Sequence, residues 1–289
     1  MPIEASEFIQ NSDGSVYHLN LLPKHLAKTV ILVGDPNRVE RITRHFDKVE
    51  FKLKKREFYT QTGYYKGKRI SVISTGIGPD NIDIVLNELD ALVNIDFETR
   101  ELKKEITSLD IIRIGTSGSI QKEVPVDSFL ISESAIGFDG LLHFYESEHI
   151  QNSEFADAFS KHLDWFKKKA APYVVDGSEN LISRMESPRV HKGVTATNIG
   201  FYGPQGRILR LALQDDKMND NLASFSFNHK KITNLEMETS AIYGLSKLLG
   251  HNAISMNAII ANRAAGTFSK DPKKTVDELI QYSLEQLAK

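Results

Sequence analysis

The stretch Thr29-Val30-Ile31-Leu32-Val33-Gly34-Asp35-Pro36-Asn37-Arg38 decides how this chain is read. A short, β-branched apolar run stops at Gly34, and a helix can begin at once. Asp35 suits the cap, and Pro36 suits the first turn, where a missing N–H costs nothing. A continuous apolar strand that feeds a helix belongs inside a parallel sheet covered on both faces. Runs of the same kind recur at Arg69 to Ser74, Asp110 to Ile114, Ser128 to Ser132 and Ala253 to Ala261. Each is closed by Gly, Asp, Asn or Pro.

Helical periodicity fills the gaps between these runs. Ile82, Val85, Leu86, Leu89 and Leu92 recur at three-to-four spacing behind Pro79. Met237, Ala241, Ile242, Leu245 and Leu249 do the same, with Asn234-Leu235-Glu236-Met237-Glu238 opening the helix and Gly250 stopping it. Val276, Leu279, Ile280, Tyr282 and Leu287 follow Pro272. Glu50 to Ser74 breaks the alternation and reads as two or three antiparallel strands turned at Gly63 and Gly67. The expected fold is one α/β domain over residues 1–289, with a central, mostly parallel sheet flanked by helices. Two polar stretches look inserted, 94–109 and 145–188, the second with a helix from Ser153 to Lys169.

Composition narrows the function. Hydrophobic residues make up 40% and charged residues 26%, a globular balance. The 36 basic and 38 acidic residues leave a net charge of −2, too little for a bulk field that would hold nucleic acid or an anionic membrane. Without cysteine there is no disulfide, thiolate nucleophile or cysteine-ligated metal. The acidic start lacks a secretory layout, and no apolar run approaches the ~20 residues that span a bilayer. The expectation is a cytoplasmic enzyme that acts on small molecules.

Four groups of residues carry candidate chemistry, each with a plainer alternative. Gly34 lets an anion approach backbone N–H groups at the strand-to-helix corner, and Arg38 can swing over it; a simple β-to-α turn fits the same residues. Arg113 interrupts an Ile-Ile-Arg-Ile run and, if buried, must face something anionic. Thr116, Ser117 and Gly118 follow at the carboxyl end of that strand, where open α/β sheets bind ligands; a structural ion pair is the alternative for Arg113. Glu236 and Glu238 suit a ribose diol, one carboxylate accepting from both hydroxyls, or they serve the helix dipole. Gln205 and Arg207 match the polar edge of a pyrimidine, with Phe201 available to stack, or they belong to a polar loop. No P-loop, dinucleotide fingerprint, zinc-protease motif or nucleophile elbow is present, and the nine histidines show no metal-ligand spacing.

In this order the segments resemble the nucleoside phosphorylase-I superfamily, in particular its uridine phosphorylase branch. The similarity runs from Tyr17-His18-Leu19 nearly to the C-terminus. It includes Lys55-Arg56-Glu57-Phe58, Ser74-Thr75-Gly76-Ile77-Gly78, Arg113-Ile114-Gly115-Thr116, Glu236-Met237-Glu238 and Asn262-Arg263. The resemblance implies a partly barrel-like sheet and reversible phosphorolysis of uridine to uracil and ribose 1-phosphate, with phosphate as co-substrate and no cofactor. Gly34, Arg38, Arg113 and Thr116 would hold phosphate, with Arg56 arriving from a neighbouring subunit. Met237, Glu238 and nearby Glu236 would hold the ribose, with His18 of a neighbour at the 5′-hydroxyl. Gln205 and Arg207 would bind and activate uracil between Phe201 and the Ser117-Gly118 backbone, beside Ile260 and Ala261; Arg263 would brace Arg207. A homo-oligomer with shared sites follows, dimer or hexamer.

Purine phosphorylases of the superfamily carry Ser-Asp where this chain has Asn262-Arg263, so the purine reading stands as the alternative. A nucleosidase and a non-catalytic nucleoside-binding protein are the others. Relatives can bind a monovalent cation through positions matching Glu57, Ile77 and a serine; here the last is Asn81.

Overall fold

A computed structural model describes residues 1–289. In chain order its elements are β1 (Thr29–Val33), α1 (Pro36–Thr43), β2 (Lys48–Lys55), β3 (Phe58–Tyr65), β4 (Lys68–Ser74), α2 (Pro79–Asn94), β5 (Asp110–Ser119) and β6 (Phe129–Gly137). There follow α3 (Ser153–His162), β7 (Tyr173–Asp176), α4 (Glu179–Met185), β8 (Val190–Thr197), α5 (Met218–Ser224) and β9 (Ser226–Phe227). The chain ends with β10 (Lys230–Glu236), α6 (Thr239–Leu248), β11 (Asn252–Asn262), β12 (Thr267–Phe268) and α7 (Pro272–Ala288).

All twelve strands join one mixed sheet. β5 sits at its centre, parallel to β1 over Asp110 to Arg113 and parallel to β11 along its length. At Gly118 and Ser119 it turns to pair antiparallel with β10. Because β11 pairs β6, β6 pairs β8 and β8 pairs β10, the five strands β5, β11, β6, β8 and β10 close on themselves. β1, β4, β3 and β2 extend outward as an open arm. This is the α/β, partly barrel-like arrangement that the alternation and the resemblance imply.

The first strand shows why the sheet is double-faced. Val30 and Leu32 pack with Leu86, Leu89 and Tyr243 under α2 and α6, while Ile31 and Val33 pack with Val39, Ile42 and Leu279 under α1 and α7. Alternate side chains point to opposite faces, so an all-apolar strand needs a helical layer on each. Asp35 caps α1, accepting from the Asn37 N–H at 2.9 Å, and Asp271 caps α7 in the same way from Lys274 at 3.0 Å.

Three expectations change. Gly63 is not a turn: it lies inside β3, where any side chain would collide with the Lys48 carbonyl beside the bulge of β2. The stretch 145–188 is more than an insertion, because its β7 extends the sheet against β6 and its helix stops at His162. Asn234 to Glu236 ends a strand, and the helix begins only at Thr239. Helical periodicity cannot separate those residues from α6, since both are buried. No helix is long and apolar enough to cross a membrane.

Candidate active site

The carboxyl ends of β1, β5 and β10 meet beneath the Phe201–Arg207 loop and enclose a pocket of about 510 Å³. That volume suits a nucleoside with a small anion. Of the residues singled out from sequence, Gly34, Arg38, Arg113, Thr116, Ser117 and Gly118 line it. Glu236, Met237, Glu238, Phe201, Gln205, Arg207, Ile260 and Ala261 line it as well, Ala261 paired beside Gly118 where β11 meets β5. Asp35, Pro36, Ile77, Leu235 and Phe268 also line it and were missed. Phe268 was invisible because only the two-residue pairing of β12 with β11 carries it there.

Arg113 shows the ion-pair alternative in full. It is buried, and its Nη2 lies 2.6 Å from Glu238 Oε2 and 3.1 Å from Glu236 Oε2, while Nη1 donates to Asn257 Oδ1 at 2.9 Å. Gly115 carries no side chain because one would strike this guanidinium. Glu236 at the end of β10 and Glu238 just before α6 thus converge on one cation. Glu236 also accepts from Thr197 Oγ1 at 2.7 Å and from the Glu238 and Thr239 N–H groups at 3.0 Å, capping α6 from β10. Glu238 Oε1 accepts from the Gly78 N–H at 3.0 Å. Burial pushes the Glu238 carboxyl upward against the lowering pull of Arg113.

Arg38 is the cation left without a partner. Its Nη1 donates to the Ile114 carbonyl at 3.2 Å, its Nε is buried with no hydrogen-bond acceptor, and no carboxylate lies within ion-pair distance. Burial, then repulsion from Arg113, lowers its pKa to about 10. A half-buried guanidinium with an unused donor, at the N-terminus of α1, calls for an anion.

Gln205 is 2% exposed, and Arg207 Nη1 donates to its Oε1 at 2.5 Å and to the Phe201 carbonyl at 2.6 Å. The Arg207 guanidinium lies 3.8 Å over the Phe201 ring. Arg263 lies near enough to repel the Arg207 guanidinium. It donates to the Gln205 and Gly206 carbonyls and so holds the turn that carries Arg207. Asn219 donates to the Gln205 carbonyl as well, at 3.2 Å, and Gly206 (φ +68°) leaves space for it. Asn219 was not legible as a site residue, since only folding of α5 brings it here.

His18 and Arg56 lie outside the pocket. His18 Nδ1 sits 2.7 Å from Glu88, and both residues flank Tyr17, whose ring is 4.8 Å from His18 and 5.8 Å from the Arg56 guanidinium. At the candidate cation position the Asn81 amide donates to the Ile77 carbonyl at 3.3 Å, where relatives carry a serine.

Residues 28–289 match the Phosphorylase superfamily. The chain belongs to that family. It is 29% identical to the uridine phosphorylase of Thermococcus kodakarensis over 290 residues, covering 98% of this chain and 91% of the relative. The uridine phosphorylase of Haemophilus influenzae is 30% identical, with 86% of each covered. A DeoD-type purine nucleoside phosphorylase from Thermoanaerobacter is 25% identical over 93% of this chain and 97% of the relative. Among solved structures, a Trypanosoma brucei nucleoside phosphorylase described as showing uridine phosphorylase activity superposes with a TM-score of 0.87 at 30% identity, covering 97% of this chain and 99% of that one.

Proposed function

We propose that this phosphorylase-superfamily member is a uridine phosphorylase, a pentosyltransferase that splits uridine reversibly with phosphate, and that residues 1–289 act as one domain. The observation that carries the reading is the unpartnered Arg38, half-buried beside Arg113 and facing a pocket that Gln205 and Arg207 also line. A place for an anion and a place for a polar planar base match the two halves of the reaction. The names of the relatives and Asn262-Arg263 favour uridine over purine nucleosides.

Phosphate takes the corner formed by Gly34, Arg38 and Thr116, with Arg113 adding charge while fixed by its glutamates. Glu238 and Met237 receive the ribose, and Glu236 holds Glu238 in place through its N–H. Gln205 and Arg207 address the uracil carbonyls between Phe201 and the Ser117-Gly118 backbone. As the bond from C1′ to the base lengthens, positive charge builds on the sugar and negative charge on uracil. Phosphate meets the first, and Arg207 with Gln205 meets the second. Holding both reactants in one pocket supplies much of the remaining acceleration.

We assign His18 and Arg56 to the pocket of a second copy, making the enzyme a cytoplasmic homo-oligomer in pyrimidine salvage. Support comes from their grouping about Tyr17 outside the pocket, and from the φ of +55° that Arg56 maintains at the β2–β3 turn. No cofactor is called for, and phosphate is a substrate.

The deciding experiment follows absorbance loss of uridine, and separately of inosine, with and without phosphate. Phosphate-dependent cleavage of uridine alone is expected. Inosine cleavage would move the protein to the purine branch, water-driven cleavage would make it a nucleosidase, and silence on both would leave a binding protein. Within this reading, Arg38→Ala should raise the phosphate KM about tenfold or more, the loss of a charge-assisted contact of roughly 1.5–3 kcal/mol. An unchanged phosphate KM would remove Arg38 from the cradle. Potassium, compared with a bulky organic cation at equal ionic strength, should leave the thermal midpoint and the rate unchanged, while Asn81→Ser introduces a dependence. Potassium stimulation of the unaltered protein would show that the amide does not block the position.

A further inference from the structure

A second cavity, of about 460 Å³, lies behind the base-reading turn. Gly203 and Pro204 form part of its wall, and the same turn carries Gln205 and the Arg207 side chain on its other face. Adjacent residues of one turn thus line two spaces of similar size. The cavity touches the first pocket at another point too. Asn198 lines it, and the Asn198 backbone N–H donates to the Glu236 carbonyl at 2.8 Å.

The chemistry of its walls is specific. Phe138 and Trp165 bring two rings together, with centroids 4.8 Å apart, and Leu213, Met218 and Pro204 add apolar surface. Lys168 and Lys169 line the same cavity, and neither makes an ion pair with any carboxylate. Lys169 Nζ instead rests 4.6 Å over the Trp165 ring. The two acids present are otherwise engaged. Asp139 accepts from the Tyr173 hydroxyl at 2.8 Å, the Leu141 N–H at 2.8 Å and the Ser240 hydroxyl at 3.2 Å, and Asp215 accepts from the Lys217 N–H at 2.9 Å. Asn198 is 1% exposed, and its Oδ1 has no hydrogen-bond donor, which a buried amide ordinarily finds.

We propose that this cavity is a second ligand site for a small molecule joining a flat heteroaromatic ring to an anionic group, a nucleoside monophosphate in size and chemistry. The ring lies against Phe138 and Trp165, and the anion meets Lys168 and Lys169. Occupation braces Gly203 and Pro204 from behind, so it changes how Gln205 and Arg207 meet the base. The proposal extends the uridine phosphorylase reading to its regulation, but the binding itself does not depend on that reading.

Trp165 is the chain's one tryptophan, so fluorescence excited beyond the absorption of the nine tyrosines comes from the wall of this cavity. AMP and UMP are titrated separately into the full-length protein with uracil and phosphate present at saturation, which fills the first pocket. Saturable quenching by either nucleotide is expected, weakened tenfold or more in the Lys168→Ala, Lys169→Ala double variant with its thermal midpoint unchanged. A twofold or larger shift in the KM for uridine should accompany it. No quenching by either nucleotide at millimolar concentration overturns the site. So does quenching that uracil and phosphate abolish, or that the double variant retains in full. The fluorescence readout stands even if uridine proves not to be cleaved, so failure of the site and failure of the activity remain separable.

Discussion

Arg113→Ala should cost about 3–5 kcal/mol of stability, the range for breaking a buried ion pair from one side. In a chain of this size that is a fall in thermal midpoint on the order of 5–10 °C. The reason is what remains. Glu236 and Glu238 stay buried in the pocket, 4% and 5% exposed, with the cation between them gone. A carboxylate out of water favours protonation, so in the variant the Glu238 pKa, already pushed up by burial and no longer held down by Arg113, rises further above its unfolded value. Stability from such a group is present at low pH and is lost as pH rises through the raised value. The variant's midpoint should therefore fall further below that of the unaltered protein between pH 5 and 8. Equal midpoints across that range would mean that the three charges are not coupled as the geometry indicates. Activity should vanish as well, because Glu238 then no longer presents a fixed carboxylate to the ribose.

Arg207→Ala should act on turnover rather than on stability. Arg207 is half-buried, and its contacts are confined to its own loop: the Phe201 carbonyl, the Gln205 amide and the Phe201 ring. Removing it leaves no buried charge unpaired. Burial and the neighbouring Arg263 both disfavour its charged form, lowering its pKa, and negative charge developing on uracil relieves both. A loss of about 10²–10³ in kcat on uridine is expected, as for removal of one donor aimed at developing charge. The phosphate KM should change little, because the phosphate corner is formed by Gly34, Arg38 and Thr116. Equal loss in both parameters would place Arg207 in general structure instead of at the leaving base. The comparison with Arg38→Ala is informative, since that change should give the reverse pattern.

How much of this was legible in advance differs by residue. Thr29 to Arg38 carried its own structure, because strand burial, an aspartate cap and a first-turn proline are local chemistry. Arg113 was legible as an anomaly, since a charge inside an apolar strand needs a partner, but the identity of the partner was not. Glu236 ends β10 and Glu238 stands just before α6, both far along the chain from Arg113, and only closure of the barrel brings them to it. Phe268 and Asn219 enter the site through β12 and α5, also without any motif of their own. Gly63 misled because glycine marks both turns and places where another strand approaches closely, and the sequence does not distinguish them.

The sequence by itself determined the double-faced sheet, the Asp35 cap of α1, the first-turn prolines of α1 and α7, and the residue types able to meet phosphate, ribose and base. Those follow from periodicity and side-chain chemistry, which act over a few residues. Tertiary structure alone decided that Arg113 spends its charge on two glutamates while Arg38 keeps its own, and that Arg263 and Asn219 hold a carbonyl behind Gln205. It also decided that a second cavity backs the base-reading turn. Each of these depends on which distant strands pair, and long-range pairing sets distances that no local pattern encodes.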